Sequence, residues 1–326
     1  MSRLKNLVRT EAGTPPLGSG HSLCQGCGIP LVVRTVLDSV GTPAVVVNAT
    51  GCLEVATTRY PTTAWNVPWL HVAFENAAAT ASGIETAYRA LRKRNRLPQD
   101  EPLTFVVFAG DGGTYDIGLQ SLSGAMERGH RFVFVCYDNQ AYMNTGVQRS
   151  GATPFGANTT TSPAGAESFG KVQERKDMTA IAVAHHIHYV AQAASVHWDD
   201  LSRKAERAAK AQGPAFLNVL TDCPVGWGHE PRESLDIMRA AVDTCLWPLF
   251  EVVDGRYTLT FTPAEKPPID TWLRPQKRFA HLLKPEGAST LAAIQDRVDA
   301  DWTALVERCA AEARESDETI VSRRAP

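Results

Sequence analysis

The residues best suited to chemistry in this 326-residue chain are Gly110-Asp111-Gly112-Gly113 and Asn139 of Tyr137-Asp138-Asn139. Each motif follows a short apolar run, Phe105-Val106-Val107-Phe108 and Phe132-Val133-Phe134-Val135. A run of that length bounded by turn residues reads as a buried parallel strand. Both motifs therefore fall at the carboxyl ends of strands, where an open α/β sheet binds its ligand. A carboxylate and a carboxamide there are hard oxygen ligands, suited to a Mg²⁺ ion carried by a diphosphate. The glycines let backbone approach the phosphates closely.

Four cysteines form a second group. Cys24-Gln25-Gly26-Cys27 lies in a glycine-rich loop, Cys52 ends the Ala44–Asn48 strand, and Cys223-Pro224 ends the Phe216–Leu220 strand. In a parallel sheet Cys52 and Cys223 emerge on the same edge as Asp111. Four thiolates there suit a [4Fe–4S] cluster or a structural Zn²⁺, and spacing alone leaves the two level. Cys136 lies inside an apolar strand and reads as core. Cys245 and Cys309 have no motif around them.

The elements that must position these groups alternate along the chain. Strands are expected at 44–48, 103–109, 132–137, 188–191 and 216–220, with helices at 74–92, 117–127, 179–185 and 198–211. This is the pattern of a doubly wound, mostly parallel α/β sheet. A long Thr-, Ser-, Gly- and Pro-rich stretch runs from Asn139 to Lys171, and beside such motifs it reads as functional. Three regions follow: an N-terminal arm (1–20), a binding domain with a cysteine loop (21–233), and a C-terminal extension (234–326) with an amphipathic helix over 289–315.

Composition excludes several classes. With 33 basic and 35 acidic residues, nothing recommends nucleic acid or an acidic membrane surface as a partner. No segment approaches the roughly 20 apolar residues of a membrane helix, and the start of the chain has no apolar signal region. A cytoplasmic location is expected, where seven cysteines argue against a disulfide framework. Several features read as structural: the basic run Arg89 to Arg96 as a solvated helix end, His185, His186 and His188 as non-ligands, and Thr159–Thr161 as loop chemistry. Trp65 and Trp69 read as a packed loop or subunit contact, and His21 as a polar contact near the cysteines.

Taken together, the residues resemble the β subunit of 2-oxoacid:ferredoxin oxidoreductases, most closely those acting on pyruvate. The resemblance rests on Gly20-His21-Ser22-Leu23-Cys24-Gln25-Gly26-Cys27-Gly28, Ala49-Thr50-Gly51-Cys52-Leu53-Glu54-Val55 and Phe74-Glu75-Asn76-Ala77-Ala78. It continues through Gly110-Asp111-Gly112-Gly113-Thr114-Tyr115-Asp116-Ile117-Gly118, Asp138-Asn139-Gln140-Ala141-Tyr142-Met143-Asn144-Thr145-Gly146 and Cys223-Pro224-Val225-Gly226-Trp227. One position departs: two residues past Cys27, where single-chain members often carry Glu, this chain has Ile29.

The resemblance implies a thiamine-diphosphate-binding fold of the pyrophosphate-domain type with a C-terminal helical extension. It implies a [4Fe–4S] cluster on Cys24, Cys27, Cys52 and Cys223, and Mg²⁺ on Asp111, Asn139 and the Ala141 carbonyl. Thiamine diphosphate would lie against Gly110 to Gly113 with Cys52, Tyr142 and Asn144 around it, and Asn144 near the reacting carbons. The implied reaction is oxidative decarboxylation of pyruvate to acetyl-CoA and CO₂, with CoA as co-substrate and electrons passed to ferredoxin. The same chemistry on a branched-chain or aromatic 2-oxo acid, or a non-catalytic iron–sulfur or zinc scaffold, are the alternatives. Two parts are missing from the chain: the Glu that activates the aminopyrimidine, expected from an α subunit, and a clustered ferredoxin-type cysteine run, expected from γ- or δ-type subunits or external ferredoxin. The isolated polypeptide is therefore expected to be inactive.

Overall fold

The computed structural model describes residues 15–41, 43–99 and 102–322; residues 1–14 of the expected N-terminal arm lie outside these. Eight strands form one sheet: β1 (Ala44–Ala49), β2 (Trp69–Val72), β3 (Thr104–Gly110), β4 (Val133–Asp138), β5 (Tyr189–Ala194), β6 (Ala215–Leu220), β7 (Phe250–Val253) and β8 (Arg256–Leu259). Their order is β2-β1-β3-β4-β6-β5-β7-β8. The first six are parallel, and β7 and β8 add an antiparallel ribbon to β5.

The helices are α1 (Ile29–Val40), α2 (Cys52–Thr57), α3 (Ala77–Lys93), α4 (Leu119–Glu127), α5 (Met178–Val183), α6 (Trp198–Lys210), α7 (Pro224–Trp227), α8 (Ser234–Asp243), α9 (Asp270–Leu273) and α10 (Ala288–Ser322). Successive strand residues serve opposite faces. Val46, Val106, Val135 and Leu217 meet α1 and α6 through Val32, Val36, Leu201 and Ala205. Val47, Val107, Phe134 and Phe216 meet α3 and α4 through Ala77, Ala81, Leu122 and Met126. Both faces are thus covered, which is why these strands read as continuous apolar runs rather than alternating ones.

The extension beyond residue 234 is mostly helical, as the sequence suggests, and it also contributes β7 and β8 to the sheet. Its aromatic residues Trp247, Trp272 and Phe279 join Trp227 in a third core beside the carboxyl ends of the strands. The short strand β2 and helices α1, α2 and α7 are not anticipated from the sequence. Each is short or flanked by glycine and proline, which hides its periodicity.

Strand order fixes where a ligand can sit. β1 connects outward to β2, whereas β3 lies on its other side. The chain therefore changes direction between β1 and β3, and the crevice at the carboxyl ends of those strands is the expected binding place. Cys52 follows β1, and Asp111 follows β3.

Candidate functional site

Asp111 leaves β3 into a single wide helical turn, Gly112–Asp116, and Asn139 leaves β4 directly. The register places Gly110 opposite Tyr137 on the neighbouring strand, so the two motifs emerge side by side. Asp111 is almost fully buried. Its Oδ2 accepts from Ser150 Oγ at 2.5 Å and its Oδ1 from the Asn139 backbone N–H at 3.3 Å.

The Asn139 carboxamide is the informative group. Its oxygen faces two further acceptors, Asp111 Oδ1 and Ala141 O, each at 2.9 Å. With protein partners alone the amide would gain two hydrogen bonds by turning over. Three converging oxygens make sense around a cation: octahedral Mg²⁺ with bonds of about 2.05 Å holds adjacent ligands about 2.9 Å apart. A carboxylate, a carboxamide and a carbonyl are also the hard donors that Mg²⁺ takes. Burial pushes the Asp111 carboxyl well above the ordinary carboxylate range, and the neighbouring Asp138 adds to the effect. A divalent cation would relieve both.

Neighbouring groups fix this triad. Trp227 Nε1 donates to the Asn139 carbonyl at 2.8 Å. Gln140 takes a positive φ of 70°, and this residue turns the chain so that Asn139 and Ala141 face the same point. Beneath it, buried Asp138 accepts from Tyr115 Oη at 2.7 Å, Arg175 Nη2 at 2.6 Å and the Gln140 N–H at 3.0 Å. Asp116, at the end of the wide turn, accepts from Lys176 Nζ at 2.6 Å, the Gly151 N–H at 2.8 Å and Tyr142 Oη at 3.1 Å. The Tyr142 ring lies against the glycine turn, where a Cβ on Gly112 would fall 2.3 Å from its Cε1.

The four cysteines are all free thiols. Each lies within electrostatic reach of others of the set: Cys27 of Cys223 and Cys52, and Cys24 of Cys52 and Cys223. Burial raises the Cys52 thiol to about 11, with Cys223 adding to the rise. Burial likewise raises Cys27 and Cys223. As thiols these groups are costly to ionise here; iron or zinc would deprotonate them outright. Backbone donors already point at them. Gly226 N–H donates to Cys223 Sγ at 3.3 Å, and Cys52 opens helix α2. Among the described residues no group of three or more His, Cys, Asp or Glu side chains is arranged to hold a single metal ion. A zinc ion would need its sulfurs about 3.8 Å apart, from Zn–S bonds of about 2.3 Å. A [4Fe–4S] cubane takes one thiolate on each iron and accepts a wider set. Four thiolates are the donors that either group takes.

The two groups meet at Cys52 and Asn144, whose carboxamide lies close enough to the thiol to favour its charged form. Asn144 is exposed and Cys24 is exposed, so the junction opens to the outside. Val55, Ile117 and Val225, in the segments that follow Cys52, Asp111 and Cys223, are exposed apolar side chains. His21 lies in the same loop with its buried Nδ1 lacking a protein partner. Trp65 packs into the core, stacks on Trp69 at 5.9 Å and donates from Nε1 to Thr57 Oγ1 at 2.8 Å. His185 is held by Ser123 and Ile181 O, and His188 by Asp254; neither stands beside the site.

Ser150, Tyr115, Asp138, Arg175 and Arg278 support the site and are not singled out by sequence reasoning. Tyr115 and Asp138 lie inside the quoted motifs, so adjacency could have found them. Ser150 sits in the long loop and Arg278 in the tail, with no local signal.

Comparisons with known proteins place the chain in a family. Residues 49–219 match the family described as thiamine pyrophosphate enzyme, C-terminal TPP binding domain. Pyruvate synthase subunit PorB of Methanothermobacter marburgensis is 50% identical, over 87% of this chain and 94% of that protein. PorB of Methanocaldococcus jannaschii is also 50% identical, over 81% and 88%. The 2-oxoglutarate:ferredoxin oxidoreductase of Magnetococcus marinus, solved with 2-oxoglutarate, coenzyme A and succinyl-CoA bound, shares the fold. Its TM-score is 0.54 at 21% identity, covering 66% of this chain and 70% of that one.

Proposed function

The chain belongs to the thiamine pyrophosphate enzymes, within the pyruvate synthase PorB family, and from that premise we propose that it is the β subunit of a pyruvate:ferredoxin oxidoreductase. It is a subunit of an oxidoreductase. The observation that carries the reading is the convergence of Asp111, Asn139 and Ala141 oxygens, joined through Asn144 and Cys52 to a four-thiol group.

In this reading Asp111, Asn139 and the Ala141 carbonyl hold Mg²⁺, and the turn from Gly110 to Gly113 carries the diphosphate. Bound thiamine diphosphate supplies the carbanion chemistry for decarboxylation, and a [4Fe–4S] cluster accepts single electrons. The protein supplies position and charge. Ser150 and the Asn139 N–H orient the Asp111 carboxylate. Trp227 fixes the Asn139 backbone, and Tyr142, tied to Asp116, closes the turn. Cys52 stands between the two centres, and Asn144 faces the open side where a 2-oxo acid would arrive.

The exposed apolar side chains Val55, Ile117 and Val225, close in sequence to Cys52, Asp111 and Cys223, suit contact with a partner subunit. That subunit would provide the aminopyrimidine-activating carboxylate, and a further subunit or ferredoxin would take the electrons. Coenzyme A takes the acyl group.

The test is an anaerobic assay of the assembled complex with pyruvate, 2-oxoisovalerate and an aromatic 2-oxo acid in turn. CoA-dependent CO₂ release coupled to reduction of a low-potential acceptor is expected, fastest with pyruvate. Faster turnover of 2-oxoisovalerate would move the chain to the branched-chain alternative. CO₂ release without acceptor reduction would reduce it to a simple decarboxylase.

A further inference from the structure

Arg278 is a buried cation without an acid of its own. Only 5% of it is exposed. Nη2 donates to Gln140 Oε1 at 2.7 Å and Nε to Gln276 Oε1 at 2.9 Å. Its guanidinium stacks 4.0 Å above the Trp227 ring, with Trp272 and Phe279 on its other sides. Among the described residues no carboxylate forms an ion pair with it. Arg175, by contrast, pairs with Asp138, whereas Lys171, farther along the loop, also donates to neutral groups, the Thr153 and Glu174 carbonyls.

A guanidinium stays charged in a protein, and burying that charge with neutral partners is costly. The fold has to offset the cost with negative charge nearby. Burial works against the charge of Arg278, and the groups near enough to offset it when ionised are Cys223, Asp138 and Asp111. Asp138 is already engaged by Arg175. What remains is Cys223, a cluster ligand in the reading above, and Asp111, a magnesium ligand in it.

The contacts of Arg278 run to the same two places. Gln140, which it holds, stands between Asn139 and Ala141. Trp227, on which it stacks, donates to the Asn139 carbonyl and closes the short helix that begins after Cys223. One side chain from the C-terminal extension thus ties the cysteine loop at 223–227 to the magnesium loop at 139–141.

We propose that Arg278 is a positioning residue that locks these two loops together and sets a fixed positive field that raises the reduction potential of the cluster. The inference rests on the cluster reading given above. Reduction adds one electron to a group already made negative by its thiolates. A buried positive charge stabilises the reduced form more than the oxidised form, and Arg278 itself is shielded from water and salt. Lys in this position would keep the charge and lose the planar stack and the paired bonds to Gln140 and Gln276.

The experiment is an anaerobic redox titration of the assembled complex, followed by electron paramagnetic resonance, for wild type, Arg278→Gln, Arg278→Lys and Gln276→Glu. Iron and thiamine contents are measured on each sample. Arg278→Gln should lower the midpoint potential of this chain's cluster, and Arg278→Lys should leave it near wild type. Gln276→Glu places a carboxylate against the guanidinium and should lower the potential in the same direction with Arg278 retained, so it carries the test if Arg278→Gln does not fold. Wild-type potential in Gln276→Glu and in any folded Arg278→Gln, each holding full iron, overturns the proposal while leaving the cluster reading intact. Absence of iron from the wild-type chain overturns the cluster reading itself.

Discussion

Replacing Gly112 by Ala tests whether the glycine turn is built for close approach. A Cβ at this position would lie 2.3 Å from Tyr142 Cε1, 2.5 Å from Cδ1 and 2.7 Å from Cζ. Carbon atoms pack at about 3.5–4.0 Å, so the overlap exceeds what small adjustments absorb and the ring has to leave. Leaving breaks its bond to Asp116 Oδ2 at 3.1 Å, worth about 1.5–3 kcal/mol for a charged acceptor. It also breaks the edge-to-face contact with Phe74 at 5.6 Å, worth about 0.5–1.5 kcal/mol. Tyr142 is half-buried, so the lower part of the range applies, about 2–3 kcal/mol in all. At roughly 2 °C per kcal/mol for a chain of this size, thermal unfolding should fall by about 4–6 °C. Gly113→Ala is the internal control. Its Cβ would meet Phe74 Cε2 at 3.2 Å, which a few tenths of an ångström relieves, so it should cost less than about 1 kcal/mol. The assay is thermal unfolding of both variants, with thiamine diphosphate titrated into each. Equal destabilisation, or a Gly112→Ala protein with unchanged unfolding, would refute the reasoning.

Two further outcomes follow from the same contacts. Ser150→Ala removes the donor to Asp111 Oδ2; a bond to a charged group is worth about 1.5–3 kcal/mol, so half-saturation by Mg²⁺ should rise at least about tenfold, and an unchanged Mg²⁺ titration would count against the ligand assignment. Burial lowers the Lys171 ammonium to about 8, so the folded chain releases a proton that the unfolded chain keeps. This contribution is unfavourable below that value and is relieved as pH rises toward the unfolded value of about 10.4. Wild type should gain about 1 kcal/mol relative to Lys171→Met between pH 7 and pH 9, read from denaturant unfolding at both values; parallel behaviour of the two proteins would contradict it.

How far the sequence reveals this site depends on which contacts are local. The strands under Asp111, Asn139, Cys52 and Cys223 are legible because each is a short apolar run closed by a turn residue. Their parallel pairing is what brings Gly110-Asp111-Gly112 and Asn139 to one edge, as their spacing suggests. The helix over 74–92 begins at Ala77, because Phe74 turns instead to pack on Tyr142. Residues 112–116 form a wide turn rather than the start of an ordinary helix, which lets Asp116 face Tyr142 and Gly151. Ser150 and Arg278 reach the site across 39 and 138 residues of chain respectively, measured to Asp111 and Gln140. Nothing in a local pattern encodes contacts of that range. The ribbon β7–β8 escapes notice because it lies in a tail whose prolines and charges suggest a loose extension, whereas pairing with β5 makes it part of the sheet.

The most direct test of the central claim is iron, zinc, magnesium and thiamine analysis of the anaerobically purified complex, co-expressed with its neighbouring subunits. It is repeated on a variant carrying Cys24→Ser, Cys52→Ser and Asp111→Ala. The expected result for the native complex is about four irons assignable to this chain, with one thiamine diphosphate and one Mg²⁺. The variant should lose both the irons and the thiamine. Zinc in place of iron, or native complex without thiamine, would contradict the account and leave the likeness to the thiamine enzymes as one of fold.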